Sequence, residues 1–336
     1  MSANPASRRF WPGLLAACGL VLALAAVALS IGRYPVGAGG VLRALTGAEL
    51  EPVARAVVLE LRLPRVLLAL VVGAGLAAAG AAFQQLFRNP LASPDILGVS
   101  SGAALGASLA LLVGLPALLV QGAAFVGGVG CVALVATIAR VVKRHDPTLV
   151  LVLGGVTVGA LAAALVALVK LVADPAGTLP AITFWLLGGL HAADPGGAGI
   201  AAGAIGVGVL ALVALRWRLD LVTLPADEAR SIGVELAGVR VVVIVFATLI
   251  TAAAVSIAGV IGWVGLLVPH MARFMTGPQF ARLLPVALLL GGAFLLAVDT
   301  LARSLIGTEL PLGAVTALVG APFFLWLLAR GREAWR

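Results

Sequence analysis

Few side chains in this sequence have the type and spacing to do chemistry. His145, His191 and His270 lie far apart, and Cys18 and Cys131 each fall inside an apolar run, so no Cys/His spacing suggests a metal site. No G-x-x-x-x-G-K-[ST] phosphate loop occurs, so the chain is not expected to bind ATP itself. Two acids stand where acids are costly. Asp299 and Arg303 are one helical turn apart, which favours an i, i+4 pair. Asp95 follows Pro94 at the start of an apolar run, where a carboxylate caps the positive end of a helix. No string of acids runs through the apolar segments, which argues against a proton or sodium relay.

The elements that hold these residues are membrane spans. Of 336 residues, 62% are hydrophobic and 11% charged, with a mean hydropathy of +1.17. A soluble domain carries roughly 25% charged residues. Apolar runs predict an all-α polytopic membrane protein with about ten spans: 12–31, 66–87, 95–113, 117–140, 148–171, 197–215, 241–259, 261–275, 283–303 and 312–329. All 336 residues form one membrane domain. Arg8 and Arg9 precede a run too long for a signal peptide, so that run is taken as the first span. The 35 residues from Val241 to Met275 hold one charge, Arg273, and are too long for one span; Ala258, Gly259 and Gly262 provide the turn.

Charge supports this division. With the N-terminus inside, 15 of the 22 Lys and Arg fall on the cytoplasmic side and 7 outside. Nine spans would put the basic C-terminus outside. The net charge of +8 therefore reflects membrane topology, and without a basic block nucleic acid is excluded as a partner.

Three loops stand out. The first outer loop ends in LRLPR (61–65). A later outer loop holds LPAITFWLLGG, predicted as a short surface helix at about 179–189. The longest inner loop, 216–240, carries four arginines and four acids, with ADEARSIG predicted as a polar helix ending at Gly233. The inside turn FRNPLASPDILGVSSGA (87–103) joins the second and third spans. Arg88 and Asn89 end one helix, Pro90 and Pro94 stop it, and Asp95 caps the next. Gly98, Gly102 and Gly106 then form a small-residue face.

LRLPR, GAGLAAAGAAFQQLFRNPLASPDILGVSSGAALGA (73–107) and FWLLGG (184–189) resemble the FecCD family of ABC-transporter permeases. So do DEARSIGV (227–234), GVIGWVGLLVPHMAR (259–273) and AVDTLARSLIGTELPLGAVTALVGAPFFLWLL (297–328). The resemblance covers nearly the whole chain, in order. It implies a type II ABC importer permease fold with both termini cytoplasmic in a bacterial inner membrane, surrounded by lipid. The implied cargo is a metal chelate, ferric siderophore first and then haem or cobalamin.

The resemblance also implies partners. Two copies of the permease form the pathway as a homodimer, with two cytoplasmic ATP-binding subunits below and a periplasmic substrate-binding protein above. The permease itself has no catalytic site and no cofactor. Asp227, Glu228, Arg230, Ser231 and Gly233 become the ATPase-coupling residues, and Arg62, Arg65 and Arg303 the docking arginines. For these, the bland alternative is that Arg62 and Arg65 snorkel to headgroups while Arg303 pairs with Asp299. Gly98, Gly102, Gly106, Leu165 and Leu168 are expected on the translocation path or dimer interface, with packing inside one subunit as the glycines' alternative. A proton-coupled secondary transporter is the competing function.

Overall fold

The computed structural model describes residues 5–32, 34–142, 147–190, 195–223, 228, 236–305 and 308–329. Helix α1 (Pro5–Ser30) leads to two short outer helices, α2 (Ala38–Thr46) and α3 (Pro52–Ala56). A π-helical turn, Val57–Arg62, runs straight into α4 (Leu63–Phe87). A 3-10 turn, Pro94–Leu97, precedes α5 (Val99–Leu112), followed by α6 (Ala117–Val141) and α7 (Pro147–Val172). Next come α8 (Thr178–Leu187), α9 (Pro195–Ala214) and α10 (Arg216–Leu221). The chain closes with α11 (Leu236–Ala258), α12 (Val264–Thr276), α13 (Phe280–Ser304) and α14 (Leu312–Ala329). No strand occurs among the described residues.

Each of the ten expected spans coincides with one helix, but the helices are not equal. Among the described residues, seven are long and apolar enough to cross a bilayer, including a continuous Pro52–Leu86 helix. The 14 residues of α5 and 13 of α12 fall short. At 1.5 Å per residue they cover about 20 Å of a roughly 30 Å hydrocarbon layer. Their ends are completed by irregular backbone, which survives at that depth only when shielded by protein. The turn before α12 shows how. Gly259 (φ 67°) and Trp263 (φ 71°) both take left-handed backbone, and the Gly259 N–H still reaches the Val255 carbonyl at 2.8 Å. The division of Val241–Met275 falls where its glycines predicted.

Alanine and glycine explain which helices are central. α4 packs along α13, α11 and α12, and Ala77, Ala78, Ala79, Ala81 and Ala82 are fully buried. A Cβ on Gly73 would overlap the Gly291 carbonyl oxygen, and one on Gly80 would overlap that of Gly265. Lipid tails are as apolar as leucine, so such close backbone packing, not burial from water, favours association. Large side chains point the other way. On α7, Leu153, Leu161, Leu165, Leu168 and Leu171 are exposed. Small residues thus line the closest helix contacts, while α7 turns leucines outward.

Candidate functional site

At the outer end, two arginines approach one carboxylate. Asp299, on α13, is 1% exposed. Arg65, in the first turn of α4, donates to it from Nε at 3.0 Å and from Nη2 at 2.8 Å. The other edge of the same guanidinium grips Glu309, Nη1 to Oε1 at 2.9 Å and Nη2 to Oε2 at 3.1 Å. Such paired, charge-assisted bonds are the strong kind. Arg303 lies one turn from Asp299, as its spacing predicted, but Nε stands 3.8 Å from Oδ2. Its Nη2 donates instead to the Ala28 carbonyl.

Arg62, expected beside Arg65 among the docking arginines, does not share the outer mouth with it. It is 6% exposed, and its Nη1 donates to the Leu29 carbonyl at 2.6 Å and the Ser30 carbonyl at 3.0 Å. Its Nη2 donates to the Tyr34 carbonyl. The last carbonyls of α1 have no partners within their own helix, and Arg62 supplies them. A guanidinium committed to three carbonyls and shielded from water has no face left for a partner's acid. Arg303 at Ala28 does the same work one turn earlier. Of the three docking candidates, Arg65 alone keeps an exposed edge, with 18% of its side chain accessible.

The short outer helix appears as α8, within a residue or two of its expected bounds. Its end is held by two backbone bonds, Gly189 N–H to the Ala258 carbonyl (2.8 Å) and Leu312 N–H to the Gly188 carbonyl (3.0 Å). These tie α8 to the turn after α11 and to the start of α14. Phe184 and Gly188 line an outer cavity of about 400 Å³ with Thr308, Glu309 and Pro311.

The glycine face of α5 is internal packing. A Cβ on Gly102 would strike the Gly127 carbonyl oxygen, and one on Gly106 that of Ala123, both on α6. Gly98 (φ 80°) sits between the Cys131 sulfur and the Gly155 carbonyl. The three glycines thus meet helices of their own chain, the packing alternative named for them. Sequence spacing revealed a close-approach face without saying what approaches. Leu165 and Leu168, by contrast, are 39% and 59% exposed on the outward side of α7.

At the opposite end, Asp95 accepts a hydrogen bond from the Ser100 hydroxyl, in the first turn of α5. Two further anchors escaped the sequence reading. Asp220, on α10, accepts the Phe280 N–H at 2.6 Å and the Ala281 N–H at 3.4 Å, capping α13. Burial raises this carboxyl above its ordinary value, and those two N–H groups partly offset the rise. Arg88, in left-handed backbone at the end of α4, donates to the Val222 carbonyl at 2.8 Å. Neither pairing leaves a sequence signal, because partners 60 and 134 positions apart share no periodicity. Of the coupling residues, Glu228 is helical and exposed, while Asp227, Arg230, Ser231 and Gly233 lie outside the described residues. His270 is buried with its ring edge-on to Phe274 at 4.9 Å; His145 and His191 also lie outside the described residues.

Among the described residues the chain is a helical bundle with helices long and apolar enough to cross a membrane several times. The chain belongs to the FecCD transport family, whose profile matches residues 20–330. It is 38% identical over 329 residues to the molybdate import system permease protein MolB of Haemophilus influenzae, covering 96% of this chain and 97% of that one. The cobalamin import system permease protein BtuC of Halobacterium salinarum is 41% identical, covering 92% and 85%. A solved ABC transporter provisionally classed as metal-chelate type, in an inward-facing conformation, superposes with a TM-score of 0.86 at 36% identity, covering 94% and 98%. The family is one of ABC permease subunits, which are transport components and not catalysts.

Proposed function

We propose that this chain is the membrane-spanning subunit of an importer that carries a metal chelate from periplasm to cytoplasm, driven by ATP hydrolysis in separate subunits. The observation that carries this reading is the likeness, over 94% of the chain, to an inward-facing transporter of metal-chelate type. Ferric siderophore is the first cargo to try, then haem or cobalamin. The near-full-length relative named for molybdate adds that oxyanion to the trial. The membrane is a bacterial inner membrane, with both termini cytoplasmic on the positive-inside bias.

Each partner has a place in this reading. Two copies form a homodimer through the exposed face of α7 that bears Leu165 and Leu168. A periplasmic binding protein docks over Arg65, Glu309 and the α8 rim, while Arg62 and Arg303 secure α1. Two ATPase subunits grip the inner loop through Asp227, Glu228, Arg230, Ser231 and Gly233. That loop begins just after Asp220 and Val222, which are tied to α13 and α4. A pull on it therefore reaches two of the most buried helices through hydrogen bonds, the kind of rigid linkage that switches a bundle between two states.

The test is reconstitution in liposomes with the ATPase and binding protein encoded beside it. Uptake of a chelate should need ATP, persist when the proton gradient is collapsed, and stop with an ATPase-dead partner. A Gly233→Trp permease should express normally yet fail to couple hydrolysis to uptake. Uptake that follows the proton gradient and ignores ATP would establish the secondary-transporter alternative instead.

A further inference from the structure

On the side that carries Arg88 and Arg273, α4, α12 and the residues after α10 enclose a half-open cavity of about 260 Å³. That is several times the roughly 30 Å³ share of one liquid water. Two separate sequence stretches supply its polar wall: Gln84, Gln85 and Arg88 from the end of α4, and His270 and Arg273 from VPHMAR. Gln84 is 2% exposed, Gln85 8% and His270 7%. Withdrawing polar groups from water is costly, so a fold that does so here needs compensating bonds.

Some of that compensation is visible. Gln84 donates from Nε2 to the Leu266 carbonyl at 3.0 Å, which fixes the orientation of its amide. Its oxygen then receives Arg273 Nη2 at 3.2 Å. Arg273 is thereby steadied along one edge, and it makes no ion pair among the described residues. No carboxylate lines the cavity among those residues either. Asp220, on neighbouring α10, is committed to the N-terminus of α13. Arg88 and Arg273 each stand in the last turn, or at the cap, of a helix whose end carries roughly half a negative charge. The full positive charge of Arg273 outweighs that, so its side of the cavity remains cationic.

We propose that this cavity binds a phosphate-type oxyanion, held chiefly by Arg273 with Arg88 beside it. The source favoured by the geometry is the headgroup of an acidic phospholipid. Phe274, 49% exposed, forms an apolar rim at which an acyl chain can lie. The guanidinia sit at helix ends, the depth of headgroups, and basic pockets between transmembrane helices on the cytoplasmic side take such headgroups. The placement in the cytoplasmic leaflet rests on the orientation given under Proposed function. A bound oxyanion would also meet Thr223, the residue after the Val222 carbonyl that Arg88 holds, and so would stiffen the root of the coupling loop.

Native mass spectrometry and thermal unfolding of the purified, delipidated full-length permease test this. Phosphatidylglycerol should be retained and should raise the unfolding temperature, whereas phosphatidylcholine should not. Arg273→Gln should weaken that binding on the order of tenfold, the loss of one charge-assisted contact, and Arg273→Lys should keep most of it. Phe274→Glu, which sets a carboxylate on the rim beside Arg273, should weaken it as well. Should millimolar inorganic phosphate protect equally, with the same variant dependence and nothing added by the lipid, the oxyanion is free phosphate. Equal binding of both probes to wild type, Arg273→Gln and Phe274→Glu would overturn the site; if Arg273→Gln does not fold, Phe274→Glu decides alone. Binding is measured without ATPase or cargo, so a failure of ATP-driven uptake bears on the function proposed above and not on this site.

Discussion

Asp299→Asn should destabilise this permease more than any other single charge removal at its outer end. The substitution keeps the shape of the side chain and deletes the charge on which Arg65 and Arg303 depend. Asp299 is 1% exposed and takes three N–H contacts from Arg65, between 2.8 and 3.1 Å. Removing one partner of a buried ion pair costs about 3–5 kcal/mol, because the other charge is left uncompensated. Arg65 retains Glu309 and a solvent edge, so the lower end applies, about 3 kcal/mol. Glu309→Gln breaks a pair whose acid is 34% exposed and screened by water, and should cost about 1 kcal/mol or less. Tryptophan fluorescence can follow denaturant unfolding of both variants in detergent. Replacing Arg65 and Asp299 together by leucine should cost clearly less than the two single changes summed. Equal stability of Asp299→Asn and Glu309→Gln would refute the assignment of Asp299 as the buried anchor. The same geometry warns against Arg65→Glu with Arg303→Glu as a docking test, since both new carboxylates would face Asp299.

Other expectations follow from the same structure. Gly106→Val should separate α5 from α6, since even a Cβ overlaps the Ala123 carbonyl; lower thermal stability without added crosslinking between copies is the expected result. Asp220 has a folded pKa raised by burial above its unfolded value. Between those two values the native state holds more protons, so this group's contribution to stability falls as pH rises through the window. Asp220→Asn, which still caps a helix, should flatten that part of the stability–pH curve, as unfolding titrations from pH 4 to 7 would show. Leu168→Cys permease in membranes should form an oxidative crosslink between copies if α7 faces its twin; a crosslink from α1 positions alone would move the interface.

Much of the bundle was legible because hydropathy is a local property. Ten helices fall on ten apolar runs, and the division of Val241–Met275 falls at Gly259 because a left-handed turn there favours glycine. The short second segment, expected at 261–275, appears as α12, but the length of α5 was not legible. A run of apolar residues looks the same whether it ends in lipid or against another helix. The glycine stripe of α5 was visible as a stripe, yet its partner, α6, was one of several equivalent candidates. The burial of Arg62 was not legible for a related reason. A position outside the apolar run suggests exposure, whereas Arg62 is drawn inward by the carbonyls at the end of α1.

By itself, the sequence determined the membrane class, the order of the apolar helices and the absence of a phosphate loop. All of these depend on composition within a window of about 20 residues or on short motifs. Only the tertiary structure decided what the charges do. Asp299 meets Arg65 across 234 positions, Arg88 meets Val222 across 134, and Gln84 meets Arg273 across 189. A guanidinium is satisfied by whichever oxygens the packing brings within about 3 Å, and helix packing is a property of the whole bundle, invisible to any one segment.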